Sequence, residues 1–189
     1  MTGFAWEQRK LGEVSRIFDG THQTPNYQPS GVPFLSVENI KTLDTNKFIS
    51  KKDFADNFKV FPQKGDILMT RIGDVGTPQV VNREGNIAYY VSLALIKPQV
   101  DSFFLKYEIE SSEFQKELWK RTLHVAFPKK INKIDIGKIT VSFPKRDEQI
   151  KVGHILMFLE ALIVANERQG KIALIFSMRF FKLYLTDYV

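Results

Sequence analysis

The chain has 189 residues, no cysteine and a formal net charge of +6 at pH 7. Its 43% hydrophobic content can fill a sizeable core, and the lack of cysteine excludes a disulfide framework and a cysteine-type zinc site. Residues 1–11 carry no signal sequence, and the most apolar run, residues 155–165, is too short to cross a bilayer. We therefore expect a soluble, cytoplasmic protein with no membrane partner.

Short strands separated by turn residues are predicted over the first hundred residues. A short basic segment, residues 6–14, precedes them. A polar loop follows the first strand, and a glycine-rich loop (RIGDVGT, residues 71–77) follows the third. The predicted strands are residues 15–20, 32–37, 67–70, 79–81 and 88–96.

A helical segment follows, with Ser102 as its predicted N-cap and helical spacing over residues 103–121. Ser111 and Ser112 are predicted to divide this segment into two helices. Residues 123–131 form a predicted loop, and residues 139–143 a last alternating strand. The predicted fold class is mixed α/β, with short strands and a helical pair.

The C-terminal region predicts one long, coiled-coil-like helix. After Pro144, apolar residues recur at steps of one, three or four, pause at residues 166–171, and resume up to Tyr184. If continuous, about 38 residues at 1.5 Å per residue give a rod of roughly 57 Å. We therefore divide the chain into a body, residues 1–145, and a helix, residues 146–189. The helix either folds back on the body or pairs with another helix.

The excess of positive charge lies entirely in the body, since basic and acidic residues are equal in number from Asp147 onwards. A basic body indicates an anionic partner, of which nucleic acid is one, and a neutral helix indicates a protein partner. A solvated basic surface is the alternative. The candidate phosphate contacts are Lys116, Lys120, Arg121, Lys129, Lys130 and Lys133.

The loop of residues 20–28 is rich in side chains that hydrogen-bond to base edges. A solvated loop would have the same composition. Arg71 is a further candidate for base contact, although a structural pair with Asp74 across the Gly73 turn is the favoured alternative. The candidate base contacts are His22, Gln23, Thr24, Asn26, Tyr27 and Arg71.

No catalytic pattern is recognisable in the sequence. The three histidines are scattered without acidic neighbours at metal-ligand spacing, so no metal site is predicted. Residues 71–77 lack the lysine of a P-loop, so a tight β connection is the favoured interpretation of their glycines. No lysine has an acidic residue two positions before it, as carboxylate-lysine nucleases require. The sequence therefore predicts a binding protein and not an enzyme.

Five stretches of the chain stand out together because of their order: WEQRKLGEV, GTHQTPNYQPSGVPFLSVENI, KGDILMTRIGDVGT, SLALIKP and FFLKYEIESSEFQKEL. In this order they resemble the specificity subunits of type I restriction-modification systems. Pro144, Glu148, Gln149 and Val152 before the long helix resemble the family's spacer motif, with valine in place of the usual isoleucine. LHVAFPKKI departs from the usual Gly-Ser-rich run, which leaves the base-contacting residues there undefined.

The resemblance implies a non-catalytic subunit with a target-recognition domain that binds the major groove of double-stranded DNA. Modification and restriction subunits would be its partners, and S-adenosylmethionine, ATP and Mg²⁺ would belong to them. The family has two recognition domains and two spacer helices, whereas this sequence has one of each, which makes it a natural half-subunit or an excised half.

We expect two chains to pair as a homodimer and to read an inverted repeat. The rod of roughly 57 Å would limit the separation of the half-sites to about 17 base pairs. The alternatives are a metal-dependent DNA-cleaving enzyme, a protein scaffold and a silent recombination cassette. The predicted dimer residues are Leu156, Leu159, Ile163, Ile172, Phe176 and Phe180.

Overall fold

The computed structural model describes residues 6–169 and has a mixed α/β fold, as predicted. The strands are β1 Glu7–Lys10, β2 Ser15–Asp19, β3 Val32–Leu35, β4 Phe48–Ile49, β5 Ile67–Ile72, β6 Asp74–Val80, β7 Ala88–Tyr89, β8 Leu93–Pro98 and β9 Thr140–Phe143. The helices are α1 Leu11–Val14, α2 Lys51–Asn57, α3 Ser102–Glu110, α4 Ser112–Arg121, α5 Lys133–Gly137 and α6 Arg146–Gln169, with a 3-10 turn at Val37–Asn39.

A four-stranded antiparallel sheet with the order β2-β8-β5-β6 lies between two hydrophobic cores. Successive side chains of a strand point to opposite faces. Along β5, Ile67 and Met69 face the core that contains α3 and α4, while Leu68 faces the other core. In β8, Ile96 and Leu95 divide between the cores in the same way. Burial on both faces explains why these strands are continuous apolar runs.

Two smaller sheets complete the fold. In one, β3 pairs with β4 antiparallel and with β7 parallel. In the other, β1 and β9 pair antiparallel from Glu7↔Phe143 to Lys10↔Thr140. This second pairing joins the two ends of the body, so the basic segment of residues 6–14 is an integral part of the fold.

Serine divides the helical pair as predicted. The Ser111 hydroxyl accepts a hydrogen bond from Phe114 N at 3.2 Å and caps α4 directly after α3 ends. The prediction of Ser102 as the N-cap of α3 is wrong, because the Asp101 carboxylate accepts from Phe104 N at 2.9 Å. The Ser102 hydroxyl instead donates to Gly65 O.

The glycines of residues 71–77 belong to a tight β connection, as predicted, but the loop is shorter than the seven residues assigned to it. This segment is the hairpin of β5 and β6, whose strands pair up to Ile72↔Asp74. Gly73, with φ of 81°, provides the turn between them. Most of the segment is therefore strand, because one residue in the left-handed region is enough to reverse the chain here.

The N-terminal part of α6 is fixed to α3. Gln149 is buried, donates to Pro144 O at 2.8 Å and accepts from Asp101 N at 3.0 Å. Further along, the Lys106 ammonium lies 2.7 Å from a carboxylate oxygen of Glu160. The body and helix α6 are thus in contact, and the proposed division between residues 145 and 146 stays a prediction.

The long C-terminal helix is confirmed over its described part, Arg146–Gln169. Its 24 residues correspond to about 36 Å of helix. The helix continues through Asn166, so the polar break begins without a loss of helical structure. Within residues 6–169, no helix is both long enough and apolar enough to span a membrane.

Candidate nucleic-acid interface

One end of the four-stranded sheet gathers several loops. The pairings Asp19↔Ala94 and Thr70↔Leu93 place the C-terminal ends of β2 and β5 beside the start of β8. The turn at Gly73 is at this same end. The polar loop after β2, the β5–β6 turn and the segment before β8 are therefore neighbours, which we call the loop end of the sheet.

Arg71 holds the loop end together. Its guanidinium pairs with Asp19, at the start of the polar loop, and its Nε donates to Ile131 O at 3.0 Å. Lys133 Nζ lies 3.4 Å from the other oxygen of the Asp19 carboxylate. The chain segments before residue 20, around residue 71 and around residue 131 are thus linked through one side chain.

Arg71 is 9% exposed at its side chain, and the structural role is the one its contacts favour. The predicted pairing of Arg71 with Asp74 is wrong. Asp74 accepts hydrogen bonds from the hydroxyls of Thr70 and Thr77 and so stabilises the hairpin itself.

The polar loop is fixed at its start and exposed beyond it. Thr21 N donates to Tyr89 O at 3.1 Å, and Val91 N donates to Thr21 O at 2.9 Å. At Gly20 a Cβ atom would collide with the backbone of Tyr90, so only glycine allows this close approach. The exposed members of the predicted base-contact set follow: His22, Gln23, Thr24, Asn26 and Tyr27.

Tyr27 differs from the other exposed loop residues in its contacts. Its ring packs edge-on against Phe34, with centroids 5.7 Å apart, and the Lys47 ammonium lies 5.8 Å from its centroid. The orientation of the Tyr27 ring is therefore set by contacts with the body of the protein, so the loop presents an aromatic ring in a defined orientation.

An open cleft of about 470 Å³ lies beside the polar loop. His22 and Gln23 line one side, and Lys59 and Lys133 also line it. Thr24 and Asn26 line a smaller adjoining cleft of about 160 Å³. Loop side chains that can bond to base edges therefore lie next to lysines that can bind phosphate.

Tyr89 lines this cleft and is hydrogen-bonded to the backbone of Asp19, the residue that pairs with Arg71. Its hydroxyl donates to the backbone oxygen of Asp19 at 3.1 Å. Burial, together with the nearby carboxylates of Asp19 and Asp66, raises the pKa of the Tyr89 hydroxyl well above its ordinary value. Tyr89 therefore remains a neutral hydrogen-bond donor at physiological pH.

Besides Lys133, which lines the cleft, the predicted phosphate contacts divide into two groups. Lys116 and Lys120 are exposed on α4 and do not line the cleft. Lys120 and Arg121 both pair with Glu117, at 2.7 and 3.3 Å, and the hydrogen bond from Lys120 lowers the pKa of that carboxyl. The charge of these two residues is therefore partly neutralised.

The second group, Lys129 and Lys130, belongs to a hairpin at residues 123–130. Leu123 N donates to Lys130 O at 2.7 Å, and Lys130 N donates back to Leu123 O at 3.3 Å. Gly73 N donates to Lys129 O at 2.9 Å, so the returning limb lies along the end of β5. The predicted loop is thus closed by an isolated β-bridge between Leu123 and Lys130, and Lys130 bridges Ile72 at the loop end of the sheet.

The predicted dimer residues are only partly within the described chain. Leu159 and Ile163 are exposed on α6, and Leu156 is half-buried. Ile155 continues the exposed apolar line at steps of four residues. The remaining three predicted positions lie outside the described residues: Ile172, Phe176 and Phe180.

Within residues 6–169, no three histidine, aspartate or glutamate side chains are grouped as metal ligands.

Sequence reasoning missed two features of the loop end. Lys59 lines the cleft although it follows α2 and lies more than thirty residues after the polar loop. Val125 and Phe127, at the tip of the hairpin, are fully exposed. Their signal in the sequence was an apolar run where a polar loop was expected, LHVAFPKKI.

The comparisons with known proteins agree with the sequence resemblance. The family model described as "Type I restriction modification DNA specificity domain" matches residues 5–175. No curated protein matches the chain.

Solved structures show the same fold. A chain from a study of complex assembly and conformational transition of the type I R-M system is 19% identical, with a TM-score of 0.68 over 95% of this chain and 43% of that one. The HsdS subunit from Thermoanaerobacter tengcongensis is 20% identical, with a TM-score of 0.67 over 94% of this chain and 43% of that one.

The S subunit of the type I system of M. genitalium is 14% identical, with a TM-score of 0.60 over 88% of this chain and 42% of that one. The chain thus spans less than half the length of these subunits. The fold and the family match confirm the resemblance: the chain belongs to the family of type I restriction modification DNA specificity domains.

Proposed function

We propose that the chain is a non-catalytic subunit that selects the DNA sequence for a type I restriction-modification complex. The observation that carries this proposal is the link through Arg71, which joins the polar loop and the lysine-bearing hairpin at one end of the sheet. In a member of the specificity family, this arrangement supplies side chains for base edges beside cations for the backbone.

The polar loop would read bases, and the lysines would set affinity and position. Lys129 and Lys130 have no salt bridge to any residue in the described range 6–169, so their charge is available to phosphates. Lys59 and Lys133, which line the cleft, would contact the phosphate backbone of the DNA. Modification and restriction subunits are the proposed protein partners, and S-adenosylmethionine, ATP and Mg²⁺ would bind to them.

Selection from a pool of random duplexes tests this function. The purified chain, alone and with its modification subunit, should enrich one sequence motif. Neutralising Lys129 and Lys130 to glutamine should weaken binding to selected and unselected duplexes alike. The slope of log affinity against log salt should fall by about 1.8 in magnitude, since each phosphate contact contributes about 0.9.

A matched control neutralises Lys145 and Lys151, which are exposed near the opposite end of β8. This variant has the same net charge as the first but should keep the wild-type slope. If both variants reduce the salt slope equally, Lys129 and Lys130 act only through net charge. If the pool of duplexes shows no enriched motif, either with the chain alone or with its modification subunit, sequence selection is refuted.

Two copies of the chain are proposed to pair through α6. Ile155, Leu159 and Ile163 follow each other at steps of four residues and are 44, 44 and 60% exposed. A line of large apolar side chains on one helix face favours burial against a second helix. A two-fold pair would carry two recognition domains and read an inverted repeat.

The oligomeric state in solution tests the pairing. Light scattering should give about twice the 21.8 kDa mass of one chain. Substituting Leu159 and Ile163 by lysine should give the mass of one chain, whereas Asn166→Lys, at an exposed polar position of the same helix, should not. A wild-type mass of one chain at micromolar concentration would refute the homodimer.

A further inference from the structure

The hairpin at residues 123–130 has an apolar tip that nothing in the described chain covers. The side chains of Phe127 and Val125 are both fully exposed. Glycine, asparagine and aspartate usually form such tips because they are polar or conformationally free. Large apolar side chains that lie together on a surface mark an interaction site, and Phe127 and Val125 lie together at this tip.

Hydrogen bonds on both limbs attach the base of this hairpin to α4 and β5. Thr122 donates its hydroxyl to Leu118 O at 2.8 Å, and the His124 ring contacts Trp119 O at 2.8 Å. On the other limb, Ile131 N donates to Arg71 O at 3.0 Å. The hairpin therefore projects from the loop end of the sheet on a fixed stem.

Basic residues flank the apolar tip on its C-terminal side. Lys129 Nζ lies 4.9 Å from the centroid of Trp119, and Lys130 is exposed. Lysine is depleted in the buried centres of protein–protein interfaces. Apolar side chains next to cations match duplex DNA, where the base steps accept an apolar wedge and the phosphates on either side bind lysine.

We propose that Phe127, supported by Val125, enters the DNA duplex as a wedge between adjacent base pairs while Lys129 and Lys130 bind the flanking phosphates. This inference rests on the proposed DNA recognition and adds to it a local unstacking of the duplex. Readout at the wedge depends on how easily a base step opens, so flexible pyrimidine–purine steps would be preferred there.

The test uses duplexes selected by the wild-type chain, with 2-aminopurine at one adenine position in each probe. Binding of the wild type should raise the fluorescence at one base step, because unstacking relieves quenching. Phe127→Ala should abolish this rise and weaken binding roughly tenfold, as expected when one base–aromatic contact is lost. Phe127→Leu keeps an apolar wedge and should retain most of the affinity.

The salt dependence separates the wedge from the lysines. Phe127→Ala should keep the wild-type salt slope, whereas the variant with Lys129 and Lys130 neutralised should reduce it. The Phe127 side chain is fully exposed, so circular dichroism and thermal unfolding of Phe127→Ala should match those of the wild type.

The outcomes separate this proposal from the broader one. A wild-type chain that binds no duplex overturns both. A wild-type chain that binds selected duplexes, with Phe127→Ala binding equally well and no fluorescence rise in either, overturns the wedge alone. If Phe127→Ala binds DNA normally but no longer binds the modification subunit, the tip is a protein contact and the wedge is likewise overturned.

Discussion

Replacing Arg71 by glutamine tests whether this residue positions the loops or contacts a base. The substitution removes the ion pair with Asp19, because glutamine is neutral and lacks the terminal guanidinium nitrogens. The glutamine Nε2 stands where the Arg71 Nε stands, so the hydrogen bond to Ile131 O can be kept. If Arg71 acts as a structural link, the loss appears as a lower free energy of unfolding of the isolated chain. If it contacts a base, the loss appears only in DNA binding.

The magnitude follows from the surroundings of the pair. Removing one partner of a fully buried ion pair costs about 3–5 kcal/mol, and hydrogen bonds to charged groups contribute about 1.5–3 kcal/mol each. The Asp19 side chain is 27% exposed and keeps Lys133 at 3.4 Å, so its carboxylate is not left unpaired. We therefore expect Arg71→Gln to lower the free energy of unfolding by about 2–3 kcal/mol.

Urea unfolding followed by circular dichroism measures this change. Asp19→Asn should destabilise the chain by a similar amount, and the double variant should lose less than the sum of the two, because both changes break the same pair. Arg16→Gln, at an exposed position of β2, is the matched control and should stay within about 0.5 kcal/mol of the wild type. An Arg71→Gln variant with wild-type stability and weakened DNA binding would refute the structural role.

Two further predictions concern the packing of α3. Gly153→Ala should lower the melting temperature in calorimetry, because the added Cβ would lie 2.7 Å from Phe104 N. Overpacking costs about 1–3 kcal/mol, which outweighs the gain in helix propensity of up to about 1 kcal/mol. A higher melting temperature would contradict this packing. Burial raises the pKa of Glu108, whose carboxylate accepts from Ser142 N at 2.9 Å. A raised pKa means that the folded chain holds this proton more tightly, so its contribution to stability is present below the unfolded pKa and is lost as the pH rises through the folded pKa. Glu108→Gln should therefore flatten the fall in stability above about pH 4.3, the ordinary glutamate value, and urea titrations that keep the wild-type pH dependence would exclude Glu108 as its source.

Local patterns predicted the elements that depend on local physics. The serine pair at residues 111 and 112 divides the helical segment because a serine side chain satisfies the first free N–H groups of the next helix. The strands β2, β5 and β8 and the long helix α6 were also predicted. Short apolar or mixed runs bounded by turn residues indicated the strands, and apolar residues at steps of three or four indicated the helix.

Predictions failed where a single position decided the outcome. Asp101 and Ser102 are both good N-caps, and the choice between them follows from the Gly65 carbonyl that binds the Ser102 hydroxyl. The loop assigned to residues 71–77 was too long, because the turn needs Gly73 alone, whereas Gly76, with φ of 102°, lies within β6 against Leu118. Neither distinction is visible without the neighbouring strands.

The sequence by itself determined the mixed α/β class, the helical pair, the long C-terminal helix, the basic body and, through its ordered motifs, the family. Only the tertiary structure decided that Arg71 pairs with Asp19, 52 residues away, and that Phe127 projects at the loop end of the sheet. The physical reason is that periodicity reports which side of an element is buried, whereas a contact between distant residues depends on strand order and register. Those are set by the packing of the whole sheet between its two cores.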